Sequence, residues 1–93
     1  MEKGSTFVKV GSSYIELGIY RHFKGKDYYV VGAVRDSSTM EYKVLYMSLY
    51  SDIEKGINYG DYFYRSIDEF FGDVDRNKYP NATQNKRFLK IRL

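Results

Sequence analysis

With 93 residues, no Cys, one His and one Pro, the chain has room for one small domain, and a fold of this size buries only about 60–65% of the surface its unfolded form exposes. The lack of Cys excludes disulfides, thiolate nucleophiles and thiolate metal sites, and one His leaves too few ligands for a zinc centre. The formal net charge of +3 is uneven: residues 76–93 hold Arg76, Lys78, Lys86, Arg87, Lys90 and Arg92 and no acid, whereas residues 52–75 hold Asp52, Glu54, Asp61, Asp68, Glu69, Asp73 and Asp75 against Lys55 and Arg65.

Eleven Tyr, six Phe and no Trp, punctuated by eight Gly, point to a mainly β protein. From Ile19 the chain reads as a β-meander. Ile19–Phe23 is a short strand, Lys24-Gly25-Lys26-Asp27 a turn of hairpin length, and Tyr28–Arg35 a second strand rich in Val and Tyr. Asp36-Ser37-Ser38-Thr39 is a turn whose side chains can bond their own backbone. Met40–Tyr50 is a long third strand, residues 51–61 a looser connection with Gly56 and Gly60, and Tyr62–Ser66 a fourth strand. Ser66 with Glu69 three residues on is a capping-box pattern, which predicts one helical turn over Ile67–Phe71 ended by Gly72. Residues 73–86 are polar and irregular, and Phe88–Leu93 closes as a strand.

Turn lengths suggest a register. Phe23 opposite Tyr28 and Arg35 opposite Met40 would put Tyr20, His22, Tyr29, Val31, Ala33, Tyr42, Val44 and Tyr46 on one uncharged face, the expected core side. Both faces stay partly apolar, which suits a closed or strongly curled sheet. In the last strand Leu89, Ile91 and Leu93 are expected to point inward, leaving Lys86, Phe88, Lys90 and Arg92 as an outer basic ridge.

The series Tyr20-Arg21-His22-Phe23-Lys24-Gly25-Lys26, then Tyr29 and Val31, Arg35-Asp36-Ser37-Ser38-Thr39, Val44-Leu45-Tyr46, Leu49-Tyr50 and Phe63-Tyr64-Arg65-Ser66 leading to Phe70, resembles the bacterial family called domain of unknown function 1653. The resemblance spans about residues 18–71. Asp36 stands in place of the family's turn His, Ser38 of its Glu, Phe63 of its Trp and Ser66 of its Pro. It implies a small SH3-like β-barrel and no particular reaction. The architecture expected is thus an SH3-like barrel or a curled antiparallel sheet with one short helical turn.

His22 titrates near neutrality when unperturbed. Its plainest role is a neutral, hydrogen-bonded ring between Tyr29 and Tyr46, and the register sets it far from Asp36 and Ser37. Arg21 and Lys24 flank the first turn, where phosphate contacts or simple solvation are both open. Arg65 either stacks on a Tyr and pairs with Asp68 or Glu69, or holds an anion. No Walker loop, GxGxxG, HExxH or GxSxG motif occurs, so no cofactor is expected.

Three functions follow. The first is a non-enzymatic binding module for an anionic ligand, nucleic acid or an acidic peptide or protein, contacted by Arg21, Lys24, Lys86, Lys90 and Arg92. The second is an assembly module forming a homodimer. The third is a small-molecule pocket protein or enzyme built on His22, Tyr29, Tyr46 and Arg65. No apolar run reaches the roughly 20 residues of a membrane helix, and Met1–Ser5 lacks the apolar stretch of a signal peptide, so the expected compartment is the cytoplasm and no membrane partner is expected.

Overall fold

The computed structural model describes residues 6–93; Met1–Ser5, on which the signal-peptide reading rests, lies outside them. Seven strands and one helical turn follow in order: β1 (Phe7–Val10), β2 (Ser13–Glu16), β3 (Gly18–His22), β4 (Asp27–Arg35), β5 (Tyr42–Ser48), β6 (Tyr62–Ser66), α1 (Ile67–Phe70) and β7 (Phe88–Arg92). β1 and β2 form a two-stranded hairpin, and the rest form an antiparallel sheet in the order β6-β5-β4-β3-β7. β6 and β7 are open edges, so the sheet curls without closing into the barrel that the resemblance implied. No helix among the described residues is long and apolar enough to cross a membrane.

The hairpin ahead of residue 18 is an element the sequence reading did not assign. Its turn rests on Gly11, which adopts a φ of 58°, a left-handed conformation that Gly reaches without a Cβ penalty. Val10 and Ile15 reach from it into the core beside Tyr20, Val30, Val44, Tyr46, Phe70 and Phe88.

The expected register is corrected at both turns. The first turn closes early: the His22 amide donates to the Lys26 carbonyl at 2.8 Å, so Tyr20 pairs with Tyr28 and Arg21 with Asp27. This brings Tyr28 and Val30 to the core face and sends Tyr29 and Val31 outward. The second turn closes through the Asp36 amide, which donates to the Glu41 carbonyl at 2.9 Å, so Arg35 pairs with Tyr42 rather than Met40 and Ala33 opposes Val44; a shift between Val30 and Gly32 then moves the pairing by one, so that Val30 opposes Tyr46. An extra residue at Val31 is a β-bulge, which lets one strand change which residues face the core. Tyr20, Val44 and Tyr46 are on the core face as expected; Tyr29 lies in an outer row with Ile19 and Met47.

The inward parity expected for β7 is likewise reversed at the start of the strand. Phe88 is buried, while Leu89 and Leu93 are exposed. The reason is the helical turn that follows β6. Ser66 Oγ accepts from the Glu69 amide at 3.1 Å, which satisfies an orphan donor of the first turn. The turn is thereby started where expected, and it carries Phe70 into the core. There the Phe70 ring stacks flat on Phe88, with centroids 4.1 Å apart and planes at 7°. Covering two large rings outweighs the aliphatic set on the opposite parity of β7.

Candidate functional site

β3 ends at His22, and the following turn folds back over it. The Lys24 amide donates to His22 Nδ1 at 3.1 Å, so the neutral ring carries its proton on Nε2. The imidazole stacks on Phe23, with centroids 4.5 Å apart, and meets the edge of Phe88 at 4.9 Å. β6 delivers Arg65 to the same face. Its Nε donates to Tyr46 Oη at 2.9 Å and its guanidinium lies 5.7 Å from the Phe88 ring centre. Phe88 is therefore the shared neighbour of His22 and Arg65.

The segment between α1 and β7 supplies the rest. Asp75 organises a turn: its carbonyl accepts from the Tyr79 amide at 2.9 Å and its Oδ1 from the Asn77 amide at 2.9 Å. The turn packs Tyr79 edge-on against Phe23 at 4.9 Å, and Lys24 Nζ sits 5.0 Å from the Tyr79 ring centre. Arg87 enters through a backbone bond, its carbonyl accepting from the Phe23 amide at 2.8 Å, while its guanidinium donates to the Glu69 carbonyl at 3.1 Å. These groups enclose a cleft of about 300 Å³ lined by His22, Phe23, Lys24, Arg65, Asp75, Lys78, Tyr79 and Arg87.

The electrostatics are one-sided. Lys24, Arg65, Lys78 and Arg87 face a single lining carboxylate, Asp75, and that carboxylate already accepts from its own turn. Burial pushes the His22 pKa down to about 4, and the charges of Arg65, Lys24, Lys55 and Arg87 push in the same direction. The ring is neutral at pH 7. Lys55 belongs to the 51–61 connection, which the buried Ser48 fixes: Ser48 Oγ donates to the Asn58 carbonyl at 2.7 Å.

A depressed imidazole pKa makes the folded state bind fewer protons than the unfolded state between the ordinary value of 6.5 and about 4. Stability therefore falls as pH drops through that window. For a half-buried ring the loss is about 1–2 kcal/mol after solvent screening. Urea midpoints of wild type and His22→Gln, compared at pH 7.5 and pH 5, are expected to show a smaller acid loss in the variant.

Of the residues singled out from sequence, His22, Lys24 and Arg65 meet in the cleft, and Tyr46 stands behind them as the anchor of Arg65. Tyr29 lies in the outer row. Arg21 is held by Asp27 through two bonds of 2.8 and 3.2 Å. The ridge expected along β7 is divided: Lys86 pairs with Asp73 at 2.9 Å, Lys90 with Glu16 at 3.5 Å, and Arg92 is exposed at the sheet edge. Asp36 is engaged by the backbone and hydroxyl of Ser38, at 2.9 and 2.7 Å. Sequence reasoning missed Phe23, Asp75, Lys78, Tyr79 and Arg87 as site residues. The one available signal was the density of bases after residue 75, and nothing in the irregular 73–86 stretch showed which of them would fold back on the first turn. Among the described residues no three His, Asp or Glu side chains gather as a metal site.

A curled antiparallel sheet with a capped helical turn on its core face and a cationic cleft at its rim defines a small β-sheet protein whose geometry names no reaction. The chain belongs to the family described as protein of unknown function, DUF1653, whose model matches residues 18–90. The match runs past Phe71 to β7, so every lining residue of the cleft falls inside it, and the β1–β2 hairpin falls outside. The chain is similar to the crystal structure of a member of that family from Bordetella bronchiseptica, at 27% identity and a TM-score of 0.65, covering 83% of this chain and 87% of that one. No curated protein matches it.

Proposed function

We propose that the protein is a non-enzymatic binding module for an anionic ligand and that the anion sits in the cleft between His22, Arg65 and Arg87. The observation that carries this reading is convergence: four cationic side chains from the first turn, β6, the 75–79 turn and the residue before β7 line one cavity, and its one carboxylate is occupied by its own turn. Like charges repel, so gathering them on a fold of net charge +3 costs stability that an anion returns. The lining has no Ser, Thr or Cys that an imidazole could activate, and His22 is neutral with Nδ1 already bonded. A cleft of about 300 Å³ is at the small end of ligand sites, which run from roughly 300 Å³ upward. A nucleic acid or an acidic peptide would therefore engage it through one phosphate or carboxylate head group.

Titration with phosphate, citrate and a 5′-phosphorylated oligothymidylate at low salt tests the reading. Binding should weaken steeply as salt is added. Arg87→Gln should weaken it about 10–100-fold, the range for losing one charge-assisted contact of about 1.5–3 kcal/mol. Arg92→Gln, on the distant edge, should change it less than twofold. Flat titrations with all three probes, or equal losses in both variants, would refute the site.

A further inference from the structure

Beyond the cleft, we infer that the open edge of β6 is a dimerisation strand, which pairs antiparallel with the β6 of a second copy of this chain about a two-fold axis at Phe63. The two edges of the sheet differ. β7 carries Lys90 and Arg92, and its pairing with β3 shifts register between Ile19 and Tyr20. Edge charges and bulges are common devices that keep a strand from adding to another sheet. β6 reads Tyr-Phe-Tyr-Arg-Ser, pairs with β5 in unbroken register and holds no Lys, Pro or bulge. Its one charge, Arg65, bonds through Nε to Tyr46 Oη on the core side. Tyr62 and Tyr64 stay 64% and 59% exposed, and Phe63 is only partly buried. Three adjacent aromatic residues thus stand on an edge that nothing blunts.

Backbone orientation shows what this edge offers. The Ser48 amide donates to the Asp61 carbonyl at 2.9 Å, so Asp61 faces β5. Orientation alternates along an antiparallel strand, which turns Phe63 and Arg65 toward β5 and leaves the amides and carbonyls of Tyr62 and Tyr64 pointing outward. Among the described residues no other segment bonds to these outward groups. An axis at Phe63 sets Tyr62 opposite Tyr64 of the second copy, and each such pair exchanges both of its backbone bonds. On the outer face these aromatic pairs continue the row of Ile19, Tyr29 and Met47. The same axis sets Asp61 opposite Arg65 of the second copy. Asp61 accepts the Asn58 amide at 2.8 Å and forms no ion pair among the described residues. An axis at Tyr64 would instead oppose Asp61 to Ile67 and leave the carboxylate without a cation. Bonding and charge are therefore self-complementary at one register, which selects a second copy over an unrelated strand. The blunted β7 edge closes the assembly at two.

Sedimentation of the full chain across the micromolar to millimolar range, where edge-on pairings of small area fall, tests the pairing. The expected result is a monomer–dimer equilibrium. Tyr64→Lys and Asp61→Lys should each weaken it at least about tenfold, since a Lys on the edge and a reversed charge both oppose the pairing. Leu89→Lys, on the β7 edge, should change it less than twofold. Amide hydrogen exchange of the wild type gives a readout that needs no variant. On concentrating the protein, the Tyr62 and Tyr64 amides should gain the most protection, and the Phe63 and Arg65 amides, already bonded to β5, should gain little. Monomer throughout the range, a dimer that survives Tyr64→Lys, or oligomers that grow past two would overturn the dimer strand. Loss of the dimer in Tyr64→Lys but not in Asp61→Lys would overturn the axis at Phe63. Each copy lines its cleft with its own residues, so none of these results touches the anion-binding reading, and flat anion titrations leave the dimer standing.

Discussion

Phe70→Ala is expected to lose about 3–5 kcal/mol of folding stability, the range for removing a fully enclosed Phe. The ring is 0% exposed. It stacks on Phe88 and touches Tyr20 at 5.4 Å, Tyr46 at 5.2 Å and Phe71 at 5.0 Å between ring centres. The four-residue α1 is far below the length at which a helix persists alone, so this side chain is what holds it to the sheet. Domains of this size have about 5–15 kcal/mol in total, and the variant is therefore expected to be close to unfolding at 37 °C. Urea melts followed by circular dichroism measure the loss. Phe70→Leu, which keeps most of the volume, should cost less than half as much. A loss under about 1.5 kcal/mol for the alanine variant would show that the aromatic cluster does not anchor the turn.

Gly18→Ala is expected to cost about 2–4 kcal/mol, from strain at an unfavourable φ together with a displaced neighbour. Gly18 adopts a φ of 139°, and a Cβ there would stand 2.7 Å from the Arg92 carbonyl oxygen and 3.0 Å from the Lys90 side chain. A backbone oxygen cannot swing aside, so β7 must move away from β3. Gly11→Ala meets open space and should cost only about 1–2 kcal/mol for its left-handed conformation. Amide hydrogen exchange distinguishes local from global damage. Protection should fall first at the β3–β7 pairing and persist at β4–β5. Uniform loss across the sheet would contradict this account.

What the sequence made legible was local. Alternating Val and Tyr, the two polar turns and the Ser66–Glu69 spacing each act within a few residues, and the strands and the helical turn fall close to where those signals put them. Register was less accessible because it depends on where a turn closes. A bond from His22 to Lys26 displaces the partners of β3 and β4, a separate bond from Asp36 to Glu41 displaces those of β4 and β5, and the bulge at Val31 then cancels part of the second displacement. The parity of β7 depended on a ring eighteen residues earlier in the chain, Phe70, which no pattern inside Phe88–Leu93 encodes. The cleft was half visible. His22, Lys24 and Arg65 stood out as rare or cationic groups near strand ends, but their companions Arg87, Lys78 and Tyr79 come from a stretch without periodicity, fixed by the Asp75 turn and by one backbone bond to Phe23. The division of the basic tail between Asp73 and Glu16 needed three-dimensional neighbours that net charge cannot reveal.

The placement of β7 beside β3 has a kinetic consequence. Every other pairing in the sheet joins strands that follow one another, and a nascent or refolding chain can zip them in order. The β3–β7 ladder must instead close a loop running through the whole meander, an entropic toll that grows with the logarithm of loop length and slows the search for the native state. The groove holding His22 and Arg87 straddles this seam, so a half-assembled meander offers no complete seat. Any occupant therefore captures finished molecules alone and, by mass action, holds the late seam shut.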